Sequence, residues 1–257
     1  MSTVALKKTG SSVRDLVSPE EWQVRVDLAA TYRLVAHYGW DDLIFTHISA
    51  RVPNSDHHFL INPYGYMFEE ITASSLVKVD LAGRILMETD SFINPAGYTI
   101  HSAIHGARDD AGCVLHLHTD AGVGVSTQQH GLLPITQNAM SLVEDLAYHD
   151  YEGIALNLDE RERLVKDIGT KNMMLLRNHG TLAVGQDCAE AFTRIFFLER
   201  ACAQQVAALA GGSAYVDPPA SVKKTTAEQG RGIAGIAHLG WGGLLRKLDR
   251  IDPSFRN

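Results

Sequence analysis

The sequence predicts an α/β protein: a three-layer α/β/α single domain around a central mixed, largely antiparallel sheet. Short β-branched runs closed by turn residues are interspersed with longer amphipathic stretches. Their order is not the regular strand–helix–strand repeat of a doubly wound sheet. No internal repeat or low-complexity stretch divides the 257 residues, which suffice for one large core. A flexible tail is expected over 1–18, the domain over 19–212, and over 213–257 an arm docking on the domain or a neighbouring subunit.

Ser18-Pro19-Glu20-Glu21 combines a capping hydroxyl, a proline and two acids, so a helix should open there. Trp22, Val26, Leu28, Ala29, Tyr32 and Val35 give it a buried side, and it should end by Gly39. Residues 43–52 and 58–61 are β-rich runs joined by Pro53-Asn54-Ser55-Asp56, the pattern of a hairpin. Further strands are expected over 77–80 and 84–87, parted by Ala82-Gly83. Asn94-Pro95-Ala96-Gly97 reads as a turn feeding a helix over 98–107, with Ile100 and Ile104 toward the core and His101 and His105 together on another side.

A strand over 113–118 comes next, then a helix of small residues with Asp120 as its cap. Residues 132–135 and 153–156 read as short strands, 164–168 as part of a charged surface helix, and 173–176 and 181–184 as strands. The longest helical pattern spans 190–209 and closes at Gly211-Gly212. After Pro218-Pro219 an irregular region is expected, whose stripe of Trp241, Leu244, Leu245 and Leu248 could dock on this subunit or a neighbour.

A net charge of −7 and a pI near 5.9 argue against a nucleic-acid groove or an anionic membrane surface, since both need a basic footprint. No run of 18 apolar residues suggests a membrane span. Cys113, Cys188 and Cys202 lack metal-type spacing and read as buried thiols of a reducing compartment, so a cytoplasmic location is expected.

Chemistry concentrates in histidine. His116 and His118 stand two apart at the end of an apolar run, and alternation along a strand would put both on one face. His179 follows where Met173-Met174-Leu175-Leu176 meets a turn signal. Three imidazoles from two strand ends are the donor set of a divalent metal with an open position. Imidazole suits several first-row metals, so Zn, Mn and Fe are all open. Strand alternation would put Arg177 on the face of His179, where it could bind a substrate carboxylate.

The motifs Ile100-His101-Ser102-Ala103-Ile104-His105, Val114-Leu115-His116-Leu117-His118-Thr119, Ala147-Tyr148-His149-Asp150-Tyr151-Glu152-Gly153 and Arg177-Asn178-His179-Gly180-Thr181, in this order, resemble the class II aldolase and adducin head-domain family. The resemblance covers about residues 22–212. It implies an α/β/α fold, a fourfold homotetramer, and a divalent metal on His116, His118 and His179 that stabilises an enolate as a carbon–carbon bond breaks.

Where sugar-phosphate aldolases of the family have Ser-Ser-Glu, this chain has Pro95-Ala96-Gly97. The carboxylate that moves a proton there is therefore missing. Thr46-His47 and Tyr64-Gly65 fall at the segments that hold the phosphate, which makes Thr46, Tyr64 and Gly65 candidate substrate-binding residues. His47, Tyr98 and His101 are the candidates to replace the lost acid/base group. The turn over 94–98 resembles the adducin-like branch, yet the histidine set is complete. The expectation is a metal-dependent lyase, by decarboxylation or aldol-type cleavage, on a small non-phosphorylated hydroxy or keto acid. A non-haem Fe(II) oxygenase and a non-catalytic adducin-like scaffold are the alternatives.

Overall fold

The computed structural model describes residues 12–257 except Asp56, residues 155–157 and Ser213. Most of the expected tail thus lies outside the described residues, as do Asp56 of the expected hairpin turn and part of the strand expected over 153–156. The short helix α1 is Val13–Leu16. In α2, Pro19–His37, the Ser18 hydroxyl accepts the Glu21 N–H at 3.2 Å, the cap expected from the sequence.

Strand β1, His47–Arg51, begins later than expected, because Leu43 and Thr46 adopt φ values of 52° and 63° that break an extended run. β2, Phe59–Ile61, pairs with β1, and β3, Val77–Val79, with β2. The strand expected over 84–87 shrinks to one bridge, Val79 to Ile85. Ile85 and Leu86 are both exposed, so that segment has no apolar face to pin it. α3 is Pro95–Ala107, with Pro95 inside the helix rather than before it.

β4, Cys113–Leu117, leads into α4, Asp120–Ser126. α5, Gln137–Leu142, and β5, Leu146–His149, stand where no element was expected, while residues 132–135 form no strand. α6, Glu160–Ile168, β6, Met173–Leu176, β7, Gly180–Gly185, and α7, Cys188–Leu209, follow. The C-terminal region is helical rather than irregular: α8 is Ala220–Gly230 and α9 Ala237–Ile251.

The seven strands order as β3-β2-β1-β4-β7-β6-β5, antiparallel except for β5 beside β6. Alternation along the strands splits their side chains between two layers. Ile48, Leu115, Leu117, Leu175 and Ala183 join α2, α7 and α9 in one core, and Val114, Met174, Leu182 and Val184 join α3 and α6 in another. The structure is therefore the three-layer α/β/α arrangement. The apolar stripe of α9 turns inward on α2 and α7, with Trp241 Nε1 donating to Asp27 at 3.1 Å. Among the described residues no helix is long and apolar enough to cross a membrane.

Candidate metal centre

His116 lies on β4 on the side facing α3, and His118 follows directly after the strand. Thr119 ends the strand there: its hydroxyl accepts the Gly122 N–H at 2.9 Å and caps α4. The cap is thus Thr119 and not Asp120. His179 sits in the turn between β6 and β7, which reverses through Asn178 at φ 57°, a left-handed backbone that asparagine tolerates. Gly180 lets that turn close, since a Cβ on it would lie 2.2 Å from the Leu117 carbonyl and 3.1 and 3.3 Å from the rings of His118 and His116.

The ligating nitrogens of His116, His118 and His179 lie within 4.8 Å of one another, and His116 Nε2 is 2.9 Å from His118 Nε2. His116 Nδ1 stands 2.9 Å from the Thr181 carbonyl, which can only accept. That nitrogen therefore carries the hydrogen, leaving Nε2 bare in the neutral ring. His118 Nδ1 lies 3.1 Å from the Asp42 carboxylate, which selects the same tautomer in the neutral ring that a metal requires. Two lone pairs facing each other at this distance repel unless a cation lies between them. Nitrogens on a tetrahedral zinc stand about 3.3 Å apart, so the residues fit such an ion with a small adjustment.

Electrostatics favours the same state. Burial, then His179 and His118, holds His116 well below the ordinary imidazole value. His179 is pushed down to about 4 by burial, then by His118 and His149. Both rings are neutral at pH 7 and can bind a metal. Behind them, Glu199 of α7 accepts hydrogen bonds from the hydroxyls of Thr119 and Thr181. Burial raises the Glu199 pKa. One carboxylate thus ties the loop after His118 to the strand after His179.

The three rings open on a cavity of about 450 Å³, also lined by Thr46, His47, Tyr64, Asn94, Ile100 and Tyr151. Among its described lining residues none is Lys or Arg. Thr46 holds φ 63°, a rare strain for a β-branched residue, and its buried hydroxyl has no partner. Both ring nitrogens of His47 are likewise buried and unpartnered. Burial, then His101, His118 and His179, holds His47 well below the usual value.

Four expected site residues lie outside this cavity. Arg177 bonds the Gln128 carbonyl at 2.8 Å and stands 4.4 Å over the Tyr148 ring. It belongs to a turn, where the strand alternation that would have faced it with His179 has ended. Tyr98 donates to the Leu81 carbonyl beneath Arg161, and Gly65, at φ 98°, forms an exposed turn beside Tyr64. His101 is fully buried behind His47.

The wall behind the cavity is a ladder. Residues 47, 49 and 51 share one side of β1, and positions 97, 101 and 105, four apart on α3, meet them. A Cβ on Gly97 would lie 2.4 Å from the His47 ring. Ser49 Oγ lies 2.6 Å from His101 Nδ1 and 2.7 Å from His105 Nε2. Arg51 Nη2 donates to the carbonyls of His105 at 2.5 Å and Arg108 at 2.9 Å, capping the end of α3. Sequence reasoning missed Asp42, Ser49 and Glu199, for which no spacing signal exists.

The family model for the Class II Aldolase and Adducin N-terminal domain matches residues 26–206. A candidate aldolase class 2 protein of Caulobacter vibrioides is 59% identical over 246 residues, 95% of this chain and 96% of its own. Alpha-adducin of Mus musculus is 42% identical over 244 residues, 89% of this chain but 33% of the adducin. The crystal structure of an aldolase II superfamily protein from Pseudomonas syringae, 51% identical, superposes with a TM-score of 0.93 over 96% of this chain and 100% of that one.

Proposed function

The chain belongs to the class II aldolase and adducin N-terminal domain family, and from that premise we propose that it is a divalent-metal-dependent carbon–carbon lyase. It would act on a small non-phosphorylated hydroxy or keto acid, by decarboxylation or aldol-type cleavage. The observation that carries this reading is the pair of bare Nε2 atoms of His116 and His118 facing each other at 2.9 Å, with His179 completing the set. These three residues would hold Zn, Mn or Fe. A cation bound there supplies Lewis acidity to a chelated carbonyl.

His47 is the group placed to handle a proton or a hydrogen bond at the cavity wall, with the unpartnered Thr46 hydroxyl beside it. Tyr64 forms another part of the wall. The lack of Lys and Arg among the described lining residues supports a substrate without phosphate, whose recognition draws on charge-assisted bonds. Phe45, Tyr151 and Ile154 at the cavity are exposed apolar surface that a neighbouring copy would cover, in keeping with a homotetramer. The free, buried Cys113, Cys188 and Cys202 suit a reducing cytoplasm.

Metal analysis of untagged protein tests the reading, on wild type and His118→Ala. About one metal per chain, lost in the variant, is expected. Anaerobic turnover of hydroxy acids with Zn, Mn or Co then separates a lyase from an oxygenase, which would need iron and consume oxygen. Failure of both proteins to take up metal would sink the catalytic reading in favour of a scaffold.

A further inference from the structure

The pairing of β4 with β7 ends just short of the metal centre. Its last partners are Leu117 and Thr181, so His118 and Thr119 lie beyond it on one side and His179, in the turn, on the other. Two of the three ligands thus project from backbone that no strand pairing holds. Glu199 of α7 meets the chain there: its Oε2 accepts the Thr119 hydroxyl and its Oε1 the Thr181 hydroxyl. The Thr119 oxygen accepts the Gly122 N–H at 2.9 Å, which leaves its hydrogen for the carboxylate. The Thr181 carbonyl, in turn, faces His116 Nδ1 at 2.9 Å. One carboxylate therefore joins the residue after His118 to the residue that bonds His116 and follows His179 by two.

Folding alone does not account for a carboxylate at this place. Glu199 is 3% exposed, among buried residues of α7 that include Ile195, Leu198 and Cys202. Burial raises its pKa, and the two threonine hydroxyls are what offset that. A buried carboxylate without a cation costs more than an apolar side chain in the same place. The packing around it is also tight. A Cβ on Gly122 would lie 2.7 Å from Thr181 Cγ2, 2.8 Å from Thr119 Oγ1 and 3.1 Å from Glu199 Oε1. With no space there for a methyl group, the carboxylate and both hydroxyls are fixed relative to one another.

We infer that Glu199 is a positioning residue of the metal centre: acting through Thr119 and Thr181, it sets the separation of His118 from His116 and His179, and with it the strength and geometry of metal binding. This rests on the metal-site reading and deepens it, since the control lies on a helix that supplies no ligand. A carboxylate suits the task because it accepts at two oxygens a fixed distance apart, where an amide offers one. Metal–nitrogen distances hold to within about 0.2 Å. Ligands on an untied strand end would not keep them.

The test uses the full chain, with cobalt(II) as the probe, and compares wild type with Glu199→Gln, Thr181→Val and Thr181→Ser. Affinity is read by competition with a chelator, site geometry by the visible spectrum, and stability by the urea midpoint of metal-free protein. Thr181→Val keeps the shape of the side chain and loses the hydroxyl; Thr181→Ser keeps the hydroxyl and loses the methyl group. Thr181→Val and Glu199→Gln should bind cobalt about tenfold more weakly, with a changed spectrum. Thr181→Ser should stay within about twofold of wild type, with the wild-type spectrum. A purely structural role would instead move urea midpoints and leave affinity and spectrum alone. That result, or serine weakening the site as much as valine, would overturn the inference, and the two Thr181 variants decide it even where Glu199→Gln does not fold. Wild type that takes up no cobalt would overturn the metal site itself and this inference with it, whereas cobalt held equally by wild type and all variants overturns this inference alone.

Discussion

Two sets of histidines lie on the same side of one sheet, and they differ in what their nitrogens face. In the buried pair, His101 and His105, Ser49 joins the two rings and Ala111 fixes the far end. In the trio, backbone and carboxylate partners fix the outer nitrogens of His116 and His118 and leave two lone pairs directed at each other beside a cavity. Burial is similar for His116 and for the pair, so burial alone does not mark a metal site. What sets the trio apart is that two ring nitrogens meet at 2.9 Å beside a cavity.

In metal-free protein acid should cost stability in both sets, since His116 and His179 are also held below the ordinary imidazole value. His101 and His105 are held near 3 in the fold, against about 6.5 in an unfolded chain. The unfolded state takes up those protons first, so their stability is complete above about pH 6.5 and declines as pH falls toward 3. By pH 5 each group should have lost about 2 kcal/mol relative to pH 7, roughly 4 for the two. The urea midpoint of metal-free protein reads this loss together with that of His116 and His179. A flat profile from pH 7 to 5 would mean that the pair is already protonated in the fold.

The trio should break through its backbone. Gly180→Ala puts a methyl group 2.2 Å from the Leu117 carbonyl, with an expected loss of about 1–3 kcal/mol and of metal stoichiometry in elemental analysis. Gly97→Ala crowds the His47 ring, 2.4 Å from the new methyl group, so metal should remain. Retained metal in the first variant, or lost metal in the second, would show that the two sets are not separable in this way.

Asp42→Asn removes the charge behind His118 without emptying its place. Metal affinity should fall about 10- to 100-fold, as measured by competition with a chelator. The smallest effect is expected at Arg177→Ala, because its guanidinium faces Gln128 and Tyr148. Stability should fall by about 1 kcal/mol, with metal affinity unchanged within about twofold. A larger change in metal affinity would place Arg177 in the site after all.

The sequence disclosed what depends on neighbours in the chain. The start of α2 was readable because Ser18 and Pro19 act within one turn, and the histidine trio because two-residue spacing at a strand end has a geometric meaning. Arg177 misled because alternation holds only while the strand lasts, and the chain turns at Asn178. Pro218-Pro219 concealed α8 and α9, since two prolines say where a helix cannot run but not that one starts directly after them. Asp42 was illegible because it meets His118 only through the fold. Gly97 could be read as a missing carboxylate, but not as room for the His47 ring.

β1 and α3 measure distance with different rulers. Two residues of strand advance about 6.7 Å, and four residues of helix about 6.0 Å. Such a vernier slips by about 0.7 Å at each rung, so the marks coincide once and drift apart on either side. Coincidence falls at Ser49, whose single oxygen touches two histidines. One rung outward the strand offers a ring against a bare glycine, and one rung the other way a long arginine reaches past its counterpart to the backbone. The mismatch of the two periods limits how far a polar line can run between this strand and this helix, from the cavity to the end of α3 and no farther.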